Sequence, residues 1–321
     1  MRYIQHSENG EMTIAETAKP EKRPNQVLVK VIAFGINRAD LLQRQGKYPP
    51  PPGESHILGL EMAGEVVAVP DGSCWQQGDR VCGLVAGGGY AEYVSVNQDH
   101  LMRVPDTLSL EDAAGLAEVY LTAYQALFLL ADLQSGESLL LHAGASGVGS
   151  AAIQLARLKG ARVAVTASST DKLDFCRALG AELLINYKEQ DFASEIKNSW
   201  KGVDVIVDIV GGDYLNRNLQ ALTLDGRIVQ LAMLQGRYAD KLDMAKMLQK
   251  RATLMASTLR NRDDAYKAEL VSAFSRDCLP AFSQGRLKVC VHHHYAANDI
   301  ELAHQQLESN RNCGKVIAYW D

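Results

Sequence analysis

The chain has little that would mark a membrane, a nucleic-acid or a disulfide-bonded protein. No run of apolar residues is long and clean. The densest stretch, Leu116 to Ala131, is broken by Glu118, Tyr120, Thr122 and Gln125, which makes it too polar for a membrane span. No run of Lys and Arg suggests a basic stripe, and a formal net charge of -5 with a pI near 5.9 argues against a duplex-binding surface. No two of the six cysteines (Cys74, Cys82, Cys176, Cys278, Cys290 and Cys313) stand at the CxxC spacing that brings two thiolates to one metal. The stretch Met1 to Glu8 lacks the apolar core of a signal peptide, so the cysteines read as free, reduced thiols and the chain is expected in the cytoplasm. Internal repeats and low-complexity segments are also missing.

What remains is an ordinary globular composition, 47% hydrophobic and 22% charged over 321 residues, a length that suggests two domains. Up to about residue 115 the pattern is short strands and turns: Val27–Val31, Gly64–Val69 and Tyr90–Val96 alternate or run apolar, separated by Pro49–Gly53, Gly78-Asp79 and Gly87–Gly89. This predicts a β barrel or sandwich. Near residue 110 the texture changes. Ser109 followed by Glu111 and Asp112 marks a helix start. Then apolar strands at Leu139–Leu141, Val163–Val165, Leu183–Ile185, Val205–Val207 and Ile228–Leu231 alternate with helical segments such as Ser150–Lys159 and Thr170–Leu179. Strands this apolar suit a parallel sheet covered on both faces, and the alternation predicts a doubly wound α/β domain. Gly160 and Gly180 stand where a helix end wants positive φ. A helix over Asp263–Asp277 precedes a polar tail with short strands at Val289–Val291 and Lys315–Tyr319, few enough to complete the N-terminal β domain rather than form a third.

The first β–α junction reads His142-Ala143-Gly144-Ala145-Ser146-Gly147-Val148-Gly149. Glycines at 144, 147 and 149 let the backbone approach a pyrophosphate and let the following helix pack on the sheet, while the helix N-terminus offers free N–H groups. A glycine triplet alone is weak; its place at the head of a βαβ run makes it a dinucleotide site. The second strand ends in Thr166-Ala167-Ser168-Ser169 with Lys172 close behind. An NAD site usually carries an acidic residue there, about 20 residues past the turn. Hydroxyls and an ammonium suit the 2′-phosphate of NADPH instead. Asp171 is the alternative, a possible ribose ligand, although its place after Ser168 or Ser169 suggests a solvent-facing position.

Several stretches together resemble the medium-chain dehydrogenase/reductase family, and within it the zinc-free quinone oxidoreductases of the p53-inducible type. They are Asn37–Tyr48, Ile57–Glu61, Gly78–Val81, the glycine turn and Ile185–Tyr187, so the resemblance covers nearly the whole chain. It implies a GroES-like catalytic domain over 1–120, completed by about 262–321, and a Rossmann domain over 121–261, with nicotinamide and substrate in the cleft between them. It further implies that Ser168, Lys172 and Tyr187 contact the 2′-phosphate, that Asn37 and Thr122 lie near the nicotinamide end, and that Tyr48 and Ser146 serve catalysis or substrate placement. Gly144, Ser146, Gly147, Val148 and Gly149 form the cofactor turn. Serine at 146, where the wider family often has glycine, matches this subgroup. A homodimer is also implied.

Zinc-dependent relatives place a Cys at the position of Asn37 and a His at that of Leu60, and they carry a lobe of four cysteines missing here; amide and leucine are not zinc ligands, so no metal is expected. His292-His293-His294 reads as a polar stretch on an edge strand, since only alternate residues share a face. Asp40 and Glu61 are expected to support loops through hydrogen bonds. Ser146 could equally spend its hydroxyl on the turn's own backbone. Without a Lewis acid, alcohol oxidation is disfavoured and NADPH reduction of a quinone or enone is expected, with Tyr48 as the nearest hydroxyl. The rival expectations are an enone or enoyl reductase of the same fold, or a non-catalytic NADPH-binding protein, crystallin-like or RNA-binding. No nucleic-acid or membrane partner is expected.

Overall fold

Residues 1–7 and 9–321 are described by a computed structural model; Glu8 lies outside them. The chain divides into one unit of Met1–Leu121 with Leu259–Asp321 and a second of Thr122–Thr258. In chain order the first unit begins with β1 (Arg2–His6), β2 (Met12–Glu16), β3 (Gln26–Ile36), α1 (Arg38–Arg44), β4 (Glu61–Ala68), β5 (Arg80–Leu84), β6 (Tyr93–Asn97), β7 (Leu101–Arg103) and α2 (Leu110–Ala113); α3 (Ala117–Tyr124) crosses the division. The second unit holds β8 (Ser138–Leu141), α4 (Gly147–Lys159), β9 (Arg162–Ala167), α5 (Thr170–Ala178), β10 (Leu183–Asn186), α6 (Phe192–Trp200), β11 (Val203–Asp208), α7 (Tyr214–Ala221), β12 (Leu222–Gln230), α8 (Met244–Lys250) and β13 (Thr253–Ala256). The chain then returns to the first unit with α9 (Asp264–Ser283), β14 (Val291–Ala296), α10 (Ile300–Glu308) and β15 (Lys315–Tyr319).

Among the described residues the first unit carries a sheet in the order β14-β15-β3-β4-β5-β7, with β6 also on β3. β3 is its spine. Val27, Val29 and Val31 alternate inward in its first half, and from Ala33 to Ile36 nearly every residue is buried, so the strand continues five residues past the expected Val31. β15 pairs antiparallel with β3 across almost the length of the chain, Val316 opposite Ile36 and Tyr319 opposite Ala33, which is how the C-terminus completes this sheet. The strand expected at Tyr90–Val96 begins only at Tyr93. Tyr90 instead sits in a turn with its N–H on Leu58 O and its side chain fully buried. α9 runs six residues beyond the expected Asp277, through Pro280, because Cys278, Ala281 and Phe282 continue its buried face. The tail is not merely polar: α10 folds there and buries Ile300, Ala303 and His304.

The second unit is an all-parallel sheet in the order β10-β9-β8-β11-β12-β13. β8 lies at its centre, where the order reverses and ligands gather at the carboxyl ends of the strands. Ser109 caps α2 by accepting the Asp112 N–H at 3.0 Å, and Gly160 and Gly180 have φ of 86° and 104°. The mainly β unit and the doubly wound α/β unit expected from the sequence are both present. Leu116–Ala131 is α3 followed by a wider helical turn over Gln125–Leu130, and no described helix is long and apolar enough to cross a membrane.

Candidate functional site

In the second unit the glycine turn joins β8 to α4. Ala143 takes the left-handed conformation, φ 54°, and Gly144 N–H donates to Thr166 O at 3.0 Å, which presses the turn onto β9. A β-carbon on Gly144 would stand 2.7 Å from Val165 Cβ, and one on Gly149 would stand 2.5 Å from Gly144 O. Neither position accepts a side chain. The close approach of turn to helix therefore leaves the start of α4 clear. Ser146 is the N-cap of α4, its Oγ accepting the Gly149 N–H at 3.0 Å. Gly147 and Val148 follow as the first two helical residues, whose N–H groups have no intrahelical acceptor. The turn thus suits a pyrophosphate: free donors, a helix dipole and no side chain in the way.

A buried polar chain braces the turn from beneath. His142 lies at the end of β8, its Nδ1 3.0 Å from Thr166 Oγ1 and its Nε2 2.8 Å from Asn218 Oδ1. Asn218 Nδ2 donates in turn to Asp208 Oδ2 at 2.8 Å, and Asp208 Oδ1 accepts the N–H groups of Val210 and Gly211. Because the amide oxygen can only accept, the ring carries its proton on Nε2, and Thr166 donates to Nδ1. Burial lowers the His142 pKa, which keeps the ring neutral.

Topology places Ser168 and Tyr187 just past the ends of the neighbouring strands β9 and β10, and Lys172 in the first turn of the helix that follows β9. Ser168 follows the last residue of β9, and Tyr187 follows β10, whose last residue Asn186 pairs with Ala167. The Tyr187 N–H donates to Ala167 O at 3.2 Å. Lys172 is in the first turn of α5, half-buried, while Asp171 beside it is exposed. The cap of α5 is Ser169. Thr122, half-buried on α3, begins this unit.

The first unit holds a second cluster, built around Glu61 at the start of β4. Glu61 is fully buried. Its Oε1 accepts from Lys315 Nζ at 2.6 Å and from Asn37 Nδ2 at 2.9 Å, and its Oε2 accepts the Glu118 N–H at 2.8 Å. Lys315 gives its other two protons to Asn37 Oδ1 at 2.7 Å and Ile36 O at 3.1 Å. Asn37 is therefore buried, with its amide held between an acid and an ammonium. Asp40, one turn into α1, accepts from Asn37 N–H, Gly59 N–H and Tyr90 Oη. Burial pushes its carboxyl up to about 6 against the pull of these donors and of Lys315. Both acids hold loops, as their hydrogen bonds show.

Tyr48 is half-buried under the Arg260 guanidinium, 5.3 Å from ring centroid to Cζ, and burial raises its hydroxyl pKa. Arg260 itself is 8% exposed and donates to Ala86 O, Gln43 Oε1 and Tyr48 O, all uncharged acceptors. Glu118, on α3, is half-buried and lines the same pocket as Arg260 and Leu60. Burial, and then the charge of Glu61, push its carboxyl up to about 8.

Sequence reasoning missed Lys315, Glu118, Arg260 and the His142 chain. Two left a trace: Lys315 is the lone charge in the apolar strand Lys315–Tyr319, and Glu118 the lone acid in Leu116–Ala131. The histidine triplet lies on β14, the edge strand, but the strand starts at Val291 rather than Val289 and runs through it. His292 and His294 have separate partners, Gln306 and Asp112. Among the described residues no three His, Cys, Asp or Glu side chains gather as a metal-binding group.

Residues 23–106 match the alcohol dehydrogenase GroES-like domain and residues 147–275 the zinc-binding dehydrogenase family. The chain is 33% identical to the synaptic vesicle membrane protein VAT-1 homolog of Rattus norvegicus, over 93% of this chain and 78% of that protein. It is 36% identical to the quinone oxidoreductase of the same species, over 67% of each. Similar solved structures include an NAD-dependent alcohol dehydrogenase (29% identity, TM-score 0.87, 99% of each chain). The CurK enoyl reductase has a TM-score of 0.87 at 28% identity, over 100% of this chain and 99% of that one. A mycobacterial protein complexed with NADPH has a TM-score of 0.88 at 27% identity, over 99% of each chain.

Proposed function

The chain belongs to the medium-chain dehydrogenase/reductase family of oxidoreductases, and on that premise we propose that it reduces quinones, or similar electron-poor conjugated carbonyl compounds, with NADPH and without a metal. The observation that carries this reading is the set of groups around Glu61. Asn37 and Leu60 stand where zinc-dependent relatives have Cys and His, and the Asn37 amide is held by the Lys315 ammonium and the Glu61 carboxylate. The donor chemistry does not fit zinc, so no step is drawn through one. A carbonyl conjugated to withdrawing groups accepts hydride without Lewis-acid help, and the protein's part is binding, orientation and exclusion of water.

The residues of the turn fit a dinucleotide. Gly144, Gly147, Val148 and Gly149 would hold the pyrophosphate, with Ser146 capping the helix that faces it. Ser168, Lys172 and Tyr187 would meet the 2′-phosphate, and Asn37 and Thr122 would flank the nicotinamide end. When bound, the dihydronicotinamide supplies the hydride. Tyr48 would contact the acceptor. The quinone oxidoreductase relative and the NADPH-complexed structure support this assignment, whereas the enoyl reductase structures favour a second one, reduction of an enone or enoyl double bond.

Steady-state NADPH oxidation against a quinone panel and an enone panel, before and after chelator treatment, tests the proposal. Faster quinone turnover that survives chelation is expected. Preference for enones would transfer the assignment to the second reading, and loss of activity on chelation would refute the metal-free chemistry. NADPH binding with no turnover on either panel would leave a non-catalytic binder.

A further inference from the structure

Reduction of a quinone by a hydride leaves an oxygen that needs a proton. The first unit contains an open pocket with a cavity volume of about 60 Å³, with Leu60, Leu84, Val85, Glu118, Leu259 and Arg260 among its lining residues. Its walls offer two unusual groups. Arg260 brings a nearly buried positive charge that, among the described residues, no carboxylate contacts; its hydrogen bonds there all end on uncharged oxygens. Glu118 brings a carboxyl group whose oxygens have no hydrogen-bond or ion-pair partner among the described residues, although its backbone N–H is fixed on Glu61 Oε2 at 2.8 Å.

Resting on the function proposed above, we propose that Glu118 is the proton donor of the reaction. The acceptor gains two electrons and one hydrogen as hydride from NADPH. The Glu118 O–H bond breaks as an O–H bond forms on the acceptor oxygen, and solvent returns a proton to the carboxylate. The products are the hydroquinone and NADP⁺. Arg260 would stabilise the negative charge that develops on that oxygen.

Other acids near the pocket are less suited: Glu54 and Asp264, which also line it, are exposed to solvent. Both oxygens of Glu61 and both of Asp40 are occupied by donors. Tyr48 is a weaker acid than usual because of burial. At Glu118, by contrast, burial is the largest influence on the carboxyl. Burial and the Glu61 charge raise its carboxyl, Asp40 raises it further, and Lys315 and Arg260 draw it down, leaving it at about 8. A carboxyl in that range is protonated at neutral pH and gives its proton up readily, the condition for efficient general acid catalysis. It is the fixed helix start, with the Glu118 N–H held by a buried, fully paired Glu61, that keeps the carboxyl at the pocket wall.

The test uses the intact enzyme, Glu118→Gln and Glu118→Asp. In the wild type, kcat for a quinone should fall as pH rises through about 8. Glu118→Gln should lose on the order of 10²-fold in kcat at neutral pH and show no such limb, with KM for NADPH unchanged, and Glu118→Asp should restore the limb. Infrared difference spectra at neutral pH should show the C=O stretch of a protonated carboxyl in the wild type that is missing from Glu118→Gln. Wild-type kcat with the limb intact in Glu118→Gln would overturn the donor role alone, as would absence of the carboxyl band. No quinone turnover by the wild type would overturn the functional reading and the donor role with it.

Discussion

Replacing Lys315 by Met should cost the first unit about 3–5 kcal/mol, the amount typical of leaving one member of a buried ion pair without its partner. Lys315 and Glu61 are 2.6 Å apart with side chains 4% and 0% exposed. At an effective dielectric of about 20, two charges at this separation attract by about 6 kcal/mol before desolvation is counted. Glu61 would keep two donors, Asn37 Nδ2 and the Glu118 N–H, so the loss is smaller than the whole attraction. Methionine matches the lysine stem, which limits any cavity. Urea unfolding should report the loss directly, and thermal unfolding should drop by roughly 6–20 °C for a unit of this size. Adding Glu61→Gln removes the stranded charge, so the double variant should recover at least half of the loss. A Lys315→Met loss below about 1 kcal/mol, or losses that simply add in the double variant, would refute the assignment of this pair as the anchor of the cluster.

Three further outcomes follow from particular contacts. Gly149→Ala places a β-carbon against Gly144 O, so the turn must open; NADPH affinity should fall at least tenfold by fluorescence titration, with the first unit's unfolding unchanged. Tyr48→Phe should raise KM for the acceptor a few-fold and leave the pH limb of kcat in place, since the ring stays under Arg260 while only the hydroxyl is lost. Glu118 has a folded-state pKa raised from 4.5 to about 8, so the native chain holds a proton that the unfolded chain releases across that interval. Stability should therefore decline as pH rises from about 4.5 to about 8, and Glu118→Gln should flatten that slope in urea unfolding at several pH values.

Much of the fold was legible because its signals are local. The alternation of apolar strands with helices, the capping serine at 109 and the glycines at 160 and 180 each speak within a few residues, and the sheet order follows from the doubly wound pattern. The ends of elements were harder. α9 passes Asp277 because buried contacts, not propensity, carry it through Pro280. The site was half legible. A glycine turn is contiguous, and its cofactor chemistry can be read from it. The cluster around Glu61 is not: Lys315 reaches it from 254 residues away through the pairing of β15 with β3. Glu118 looked like an interruption of an apolar helix, and only burial beside Glu61 turns it into an acid of altered strength. Ser146 shows the opposite case, a residue singled out in the sequence whose oxygen is already used as a helix cap.

A nicotinamide-fluorescence titration with NADPH and with NADH, on the wild type and on Lys172→Ala, tests whether the second unit selects the 2′-phosphate. The wild type should bind NADPH at least tenfold more tightly than NADH, and Lys172→Ala should lose most of this preference while its NADH affinity stays the same. Equal affinity for the two cofactors in the wild type, or a preference unchanged by the substitution, would contradict that selection.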